Sequence, residues 1–449
     1  MTSIIFLFIV GFEVAFMSYC LFTKTLNTKA KSIARLSAFA LFLFLCIVRV
    51  IEWSMRWYLF GALLVFLAGR GVYVLCSSRR KVKQFRSGTM IFKAIGMILL
   101  FAVVLVPAFL FPQYKPLQPT GNFSVATAEA TFTSDSITDY FTGDKRQVNV
   151  GFWYPKDAEG KYPLLIFSHG AFGIKNSNYS AFEELASHGY VVCSIDHPGH
   201  SFYTESTAGK KVIVDKAYLN EVIDANREDY YTTAEEYELI KKWMKIRSED
   251  INLTIDTILQ KAKETDTINQ KSSPKEELRA LYSKIDTNKI GVFGHSMGAA
   301  ASVWIGRERR DVSAVINIDG PYFSEITYDP KLDEIVATGE QYNVPILNIY
   351  SDQVWVQLQD GKNTGVYAGN KISKQICKES YDVYLKGTKH LTLTDLALTS
   401  PVLASMLNGE ADRVDARESL KLEDSIILEF FNTELKGQGP FTAEGVYEQ

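Results

Sequence analysis

Residues 289–302 read KIGVFGHSMGAAAS. An apolar run passes into G-x-S-x-G and then into a string of small residues, the pattern of a strand that turns sharply into a helix. A bare G-x-S-x-G match arises by chance in roughly one chain in seven of this length, so the flanking residues carry the weight. A serine at the apex of such a turn must hold a strained backbone conformation. Gly294 and Gly298 leave room for it, and Ala299, Ala300 and Ala301 let the helix lie close to the sheet. Ser296 then stands at the N-terminus of a helix, where the backbone N–H of Met297 points at negative charge developing on a bound oxygen.

Outward from this turn the chain repeats one theme. Short apolar runs at residues 148–154, 164–169, 190–196, 290–294, 314–319, 346–351 and 381–386 are separated by helical stretches, one of them at 179–188. Such alternation predicts a mostly parallel sheet covered by helices on both faces. Residues 124–132 alternate small polar and apolar side chains, as an exposed strand does. Residues 202–286 interrupt the alternation with a charged, mainly helical insertion, and 235–263 is its strongest helix.

Acyl chemistry at a serine needs three further parts. A second backbone donor should come from the loop after another strand. Residues 164–173, LLIFSHGAFG, end a strand at His169-Gly170, and the N–H of Ala171 follows. A base and its orienting acid should follow in the order Ser, acid, His. His390, in GTKHLTLTDL, is the only histidine after Ser296. Asp319 in AVINIDG and Asp352 in ILNIYSD both end strands, and spacing alone does not choose between them.

The first quarter of the chain has a different character. Residues 1–116 hold 14 Lys and Arg against only Glu13 and Glu52, so the whole-chain net charge of −3 combines a basic part with an acidic one. Apolar stretches at 4–22, 36–50, 57–76 and 91–111 each have or approach the roughly 20 residues that cross a bilayer core. The cluster Arg49, Glu52, Trp53, Arg56, Trp57 suits an interfacial turn and makes the middle two spans a hairpin. Lys24, Lys29, Lys31 and Arg35 follow the first span, and Arg79, Arg80, Lys81, Lys83 and Arg86 follow the third, with no acid in either loop. Four spans put both loops on one side, which the preference for cytoplasmic cations makes cytoplasmic, so everything after Phe111 faces outward. Glu13, Arg70 and Lys93 read as a cross-helix pair and snorkelling cations rather than an ion path.

The expected organisation is a membrane region over 1–112, a linker over 113–123, a catalytic domain over 124–437 with its insertion at about 202–286, and a tail over 438–449. Five cysteines exclude a disulfide framework, and Cys193 and Cys377 lie in strand patterns that suit buried thiols. The only basic runs are juxtamembrane, which excludes a nucleic-acid partner. Asp196, His197 and His200 in IDHPGHS line the mouth of the site or cap a strand rather than bind metal. His188 ends a helix, and His295 supports the site from within the turn.

The segments YPLLIFSHGAFG, ASHGYVVCSIDHPGHS, KWMKIRSEDINLTIDTIL, KIGVFGHSMGAAA, AVINIDG and KHLTLTDLAL, in this order, resemble the platelet-activating-factor acetylhydrolases of the α/β-hydrolase type, plasma and intracellular type II. The resemblance covers roughly residues 147–437. It implies an α/β-hydrolase fold, here preceded by a four-helix transmembrane region. By the same resemblance Ser296 is the nucleophile, Asp319 the acid, His390 the base, and Ala171 and Met297 the oxyanion donors. No cofactor and no metal are implied. The four N-terminal spans, the region 202–286 and the stretch between Asp319 and His390 depart from the family, so pocket and lid do not carry over.

The function expected is a membrane-anchored, outward-facing serine esterase acting on carboxylic esters, phospholipid or other lipid-like acyl esters among them. Its partners are an ester substrate and membrane lipids, and its oligomeric state is left open. An acyltransferase passing the acyl group to a lipid or wall alcohol, and a catalytically silent membrane sensor or scaffold, are the alternatives.

Overall fold

The computed structural model describes residues 2–77, 85–156, 159–227, 229–267, 276–410 and 413–448. The chain forms two compact units, one of residues up to 115 with 398–406, the other of residues 116–397 with those from 407 on.

In the first unit α1 (Thr2–Thr23), α2 (Thr28–Ile47), α3 (Tyr58–Cys76) and α4 (Ser87–Leu110) are long and apolar enough to cross a membrane by length and composition. α2 starts earlier than the apolar run suggests. The Asn27 side chain accepts from the Ala30 N–H at 3.1 Å and caps the helix ahead of Lys29, Lys31 and Arg35. These cations, expected in a loop, lie on the first turns of α2 instead, and Lys31 reaches Glu13 of α1 at 2.5 Å. The expected hairpin forms between α2 and α3, with one difference. Trp57 is buried against Phe42 and Phe60, ring centroids 6.1 and 5.9 Å away, while Trp53 is exposed. Packing against these two rings holds Trp57. Arg79, Arg80, Lys81 and Lys83 lie outside the described residues.

The second unit contains β1 (Val125–Thr138), β2 (Lys145–Pro155), β3 (Tyr162–Ser168), β4 (Val191–Asp196), β5 (Tyr203–Glu205), β6 (Lys211–Ile213), β7 (Ile285–His295), β8 (Val312–Ile318), β9 (Ile326–Asp329), β10 (Glu334–Ala337), β11 (Ile346–Tyr350), β12 (Ser380–Lys386) and β13 (Gly445–Glu448). β5–β6 and β9–β10 are separate hairpins. The other nine strands form one sheet in the order β1-β2-β4-β3-β7-β8-β11-β12-β13, antiparallel among β1, β2 and β4 and parallel from β4 to β13. Side chains alternate between two cores. Leu164, Ile166, Ile290 and Val292 face one side, and Leu165, Phe167 and Phe293 the other, as a strand period of two requires.

Helices α5 (Tyr179–Ser187), α6 (Lys216–Ala225), α7 (Thr233–Thr267), α8 (Glu276–Ser283) and α9 (Met297–Glu308) follow in chain order. α5 and the helix Ala416–Lys436 cover one face with Phe182, Leu185, Phe430 and Phe431. α9 and α7 share the opposite core, α7 through Ile240, Met244, Ile251, Ile255 and Ile258. The insertion over 202–286 is therefore a structural layer of the sheet as well as a loop excursion. Two expected boundaries change. Residues 438–449 are not only a tail, because β13 adds to the sheet edge with Tyr384 opposite Val446. The later part of the linker 113–123 is docked on α5, where Thr120 and Gly121 N–H donate to Glu184 and Ser187 at 2.7 and 3.0 Å. Cys193 and Cys377 are buried free thiols.

Candidate active site

β7 delivers the chain into a sharp turn, where Ser296 takes φ 56° and ψ −124° before α9 begins at Met297. This conformation is rare for a residue with a side chain, and it persists because the surroundings over-determine it. Ser296 N–H donates to the Ile318 carbonyl at 2.8 Å, tying the turn to the end of β8. A Cβ on Gly298 would lie 1.9 Å from the carbonyl oxygen of Ser168. The turn is thus pressed onto the end of β3, and only glycine fits there.

Asp319 is the next residue after Ile318, and its own φ of 56° turns the carboxylate back toward the sheet end. Oδ2 accepts from His390 Nδ1 at 2.7 Å and from Ser351 Oγ at 2.7 Å, and Oδ1 accepts from Ser351 N–H at 2.7 Å. A carboxylate held at both oxygens fixes the imidazole with its proton on Nδ1, leaving Nε2 as the basic nitrogen. The Asp319 carboxylate is fully shielded, whereas the His390 side chain is 31% exposed, so the imidazole can meet a ligand that the acid cannot. Asp352 is engaged elsewhere. Its Oδ1 accepts from Tyr384 O–H and Gly387 N–H, both at 2.8 Å, and so braces the loop that leads to His390.

The structure thus joins Asp319 and His390 by a hydrogen bond and sets Ser296 on the turn bonded to the end of Asp319's strand. No hydrogen bond joins Ser296 Oγ to His390 among the described residues. His295 donates from Nε2 to the His390 carbonyl at 2.8 Å. Burial, and then the neighbouring His390, hold the His295 imidazole well below its ordinary range, so it is neutral.

Ala171 lies in the loop after β3. A Cβ on Gly170 would stand 3.1 Å from Ser296 Cβ, which measures how closely that loop approaches the serine. Neither Ala171 N–H nor Met297 N–H has an acceptor among the described residues. Two unused donors beside a strained serine can stabilise an oxyanion.

Beneath the loop lies a buried polar network that differs from the expected mouth-lining role of His197 and His200. His197 bridges Asp250 and Ser168 Oγ, each at 2.9 Å, and Arg146 pairs with Asp139 and Asp250 at 2.7 Å. Asp196 is taken up by Lys175 N–H and Thr204 Oγ1 at 2.6 and 2.9 Å. Burial, reinforced by Arg247, pushes His169, His197 and His200 well below the usual histidine range. They are structural and uncharged. Arg247 of α7 was not singled out in the sequence, although it stands in the quoted KIRSED segment. It is fully buried and donates to the carbonyls of His169 and Gly170 at 2.7 and 3.2 Å.

A mostly parallel sheet with a strained serine turn on its central strand, and an acid and a histidine after later strands, defines the α/β-hydrolase class. The family described as "Platelet-activating factor acetylhydrolase, isoform II" matches residues 127–443, and the chain belongs to that family. The chain is 25% identical over 281 residues to the platelet-activating factor acetylhydrolase of Canis lupus familiaris, a match covering 61% of this chain and 57% of that protein. It is 25% identical over 294 residues to the Bos taurus protein of the same name, covering 63% and 59%. The chain therefore spans less than two thirds of the length of these relatives. Among solved structures it resembles a ferulic acid esterase from Streptomyces cinnamoneus, with a TM-score of 0.51 and 18% identity over 72% of this chain and 93% of that one. That likeness concerns the fold.

Proposed function

We propose that the protein is a membrane-anchored serine esterase that cleaves carboxylic esters, with phospholipid or similar lipid-like acyl esters as its substrates. The observation that carries this reading is the 2.7 Å hydrogen bond from His390 Nδ1 to a fully shielded Asp319, beside the strained Ser296 turn. Ser296 Oγ adds to the ester carbonyl carbon as its proton passes to His390 Nε2, and the carbonyl electron pair becomes an oxyanion held by Ala171 and Met297 N–H. Collapse of the adduct breaks the bond to the alcohol oxygen, which leaves with the proton from His390. Water repeats the sequence on the acyl-enzyme and releases the acid and free Ser296. Asp319 keeps the proton on Nδ1 and stabilises the imidazolium that forms.

Family membership supports ester chemistry. The four apolar helices support anchoring in a bilayer, and the basic residues that follow the first and third of them in sequence support a second unit facing away from the cytoplasm. The test is a panel of esters graded by acyl length, presented in solution and in vesicles, together with a fluorophosphonate probe. Ser296-dependent turnover, with covalent labelling lost in Ser296→Ala, is the expected result. Turnover or labelling that survives Ser296→Ala sinks the reading.

A further inference from the structure

Arg247 is a charge buried at 0% exposure without an ion-pair partner among the described residues. An unpaired buried guanidinium is costly and is tolerated only where its donors are well used. Its donors go almost entirely to the loop after β3. Nη1 donates to the His169 carbonyl at 2.7 Å and lies 3.4 Å from Ser168 Oγ, Nη2 donates to the Gly170 carbonyl at 3.2 Å, and Nε donates to His200 Nδ1 at 3.2 Å. The Gly170 carbonyl receives two further donors, His169 Nδ1 at 2.7 Å and the Gly173 N–H at 3.2 Å. His169 can donate from Nδ1 because its Nε2 accepts from Ser201 Oγ at 2.8 Å, which fixes the tautomer.

The Gly170 carbonyl and the Ala171 N–H belong to one peptide group. Every described peptide bond is trans, so the two dipoles point in opposite directions across one rigid plane. Holding the carbonyl toward Arg247 therefore aims the Ala171 N–H away from it, and that N–H is the one left without an acceptor. A cation on the carbonyl oxygen also draws electron density from the amide and makes its N–H a stronger donor, since hydrogen bonds in series polarise one another.

We propose that Arg247 is a positioning residue for ester cleavage at Ser296, one that orients and polarises the Gly170–Ala171 peptide so that its N–H is ready for the oxyanion. The proposal rests on the reading of Ser296 as nucleophile. It assigns to the insertion helix α7 a role in chemistry as well as in packing. His169 shares the task as a neutral donor to the same carbonyl, its proton position set by Ser201. Substrate binding in the ground state makes little use of this donor, so the effect belongs to kcat and to tetrahedral, negatively charged adducts rather than to KM.

The test uses the full chain in detergent with a short soluble ester, and phenylboronic acid as the probe that forms a tetrahedral anion on serine. Arg247→Met should lower kcat by about a hundredfold, with KM within about threefold and phenylboronic acid weakened by the same factor as kcat. Arg247→Lys, which keeps the charge but loses the fork, should lie between, at about tenfold on both readouts. If Arg247→Met does not fold, Arg247→Lys decides by the same two measurements. A kcat within about threefold of wild type, or a fall in kcat with phenylboronic acid affinity unchanged, overturns the proposal. Ser296→Ala separates the two levels. Hydrolysis that persists there defeats the assignment of the site itself, whatever Arg247 does.

Discussion

His295 Nε2 donates to the main-chain carbonyl of His390 at 2.8 Å, and the two imidazole rings lie 4.4 Å apart. The residue before the strained serine thus holds the backbone of the residue that would take the serine's proton. One hydrogen bond ties the serine turn directly to the His390 loop. His295→Ala should lower kcat by about tenfold with little change in KM, because the His390 loop loses its tie to the serine turn. His295→Gln, whose amide can donate to the same carbonyl, should recover most of the loss. Equal losses in both variants would show that ring packing matters more than the hydrogen bond.

Asp319 and Asp352 give opposite expectations in stability and activity. Asp319→Asn should cut kcat by about 10⁴ through the wrong histidine tautomer. Asp352→Asn should cost less than about tenfold in kcat while lowering the melting temperature, because Tyr384 O–H and Gly387 N–H lose part of their acceptor. Steady-state kinetics and thermal melts on the two variants check both statements.

A group of buried carboxyls predicts the pH dependence of stability. Burial pushes Asp395 up to about 7, and burial with repulsion from neighbouring carboxylates, Asp395 among them, raises Glu423 and Asp424 well above the carboxylate range. Both Glu423 carboxyl oxygens lack a hydrogen-bond partner among the described residues. A carboxyl raised in the folded state binds more protons folded than unfolded, so stability falls as pH rises from its unfolded value, about 4, through its folded one. The melting temperature should drop by roughly 5 °C between pH 5 and pH 8. Asp395→Asn, uncharged throughout, should flatten part of that slope.

Gly298→Ala tests the close approach of the serine turn to β3. The added methyl has no flexible neighbour to displace, only the Ser168 and His169 carbonyls. Destabilisation of about 3 kcal/mol or more, with activity lost in any folded fraction, is expected. A stable, active Gly298→Ala protein would mean that the turn is looser than described.

Topology is checked on intact cells or right-side-out vesicles. External protease should cut the chain after Phe111 and leave the span-bearing part protected. Full protection would reverse the orientation read from the basic loops.

The sheet was legible because each strand is a short apolar run bounded by helix or turn residues, and the serine turn because Gly294, Gly298 and three alanines are steric requirements of that bend. Spacing alone could not choose between Asp319 and Asp352, since both end strands, and the choice of Asp319 comes from the family resemblance; in the fold the backbone turn at Asp319, φ 56°, carries that carboxylate to the imidazole. Arg247 escaped notice for a related reason. On a charged helix one more arginine reads as solvated surface, and nothing local signals that α7 lies across the sheet. In sequence His197 and His200 read as lining a mouth or capping a strand, whereas their buried network depends on Arg146, Asp250 and Arg247, distant in sequence.

The order in which these strands leave the ribosome differs from the order in which they pair. β3 sits beside β7, with Leu164 opposite Ile290, yet the whole insertion is translated between them. Until β7 follows, β3 can pair only with β4 on its other edge, and contacts of such long sequence separation form slowly. An unpaired strand edge of this kind is an aggregation liability, and here more than a hundred residues separate the two partners. The length of the insertion thus sets most of the interval over which that edge of β3 waits for its partner.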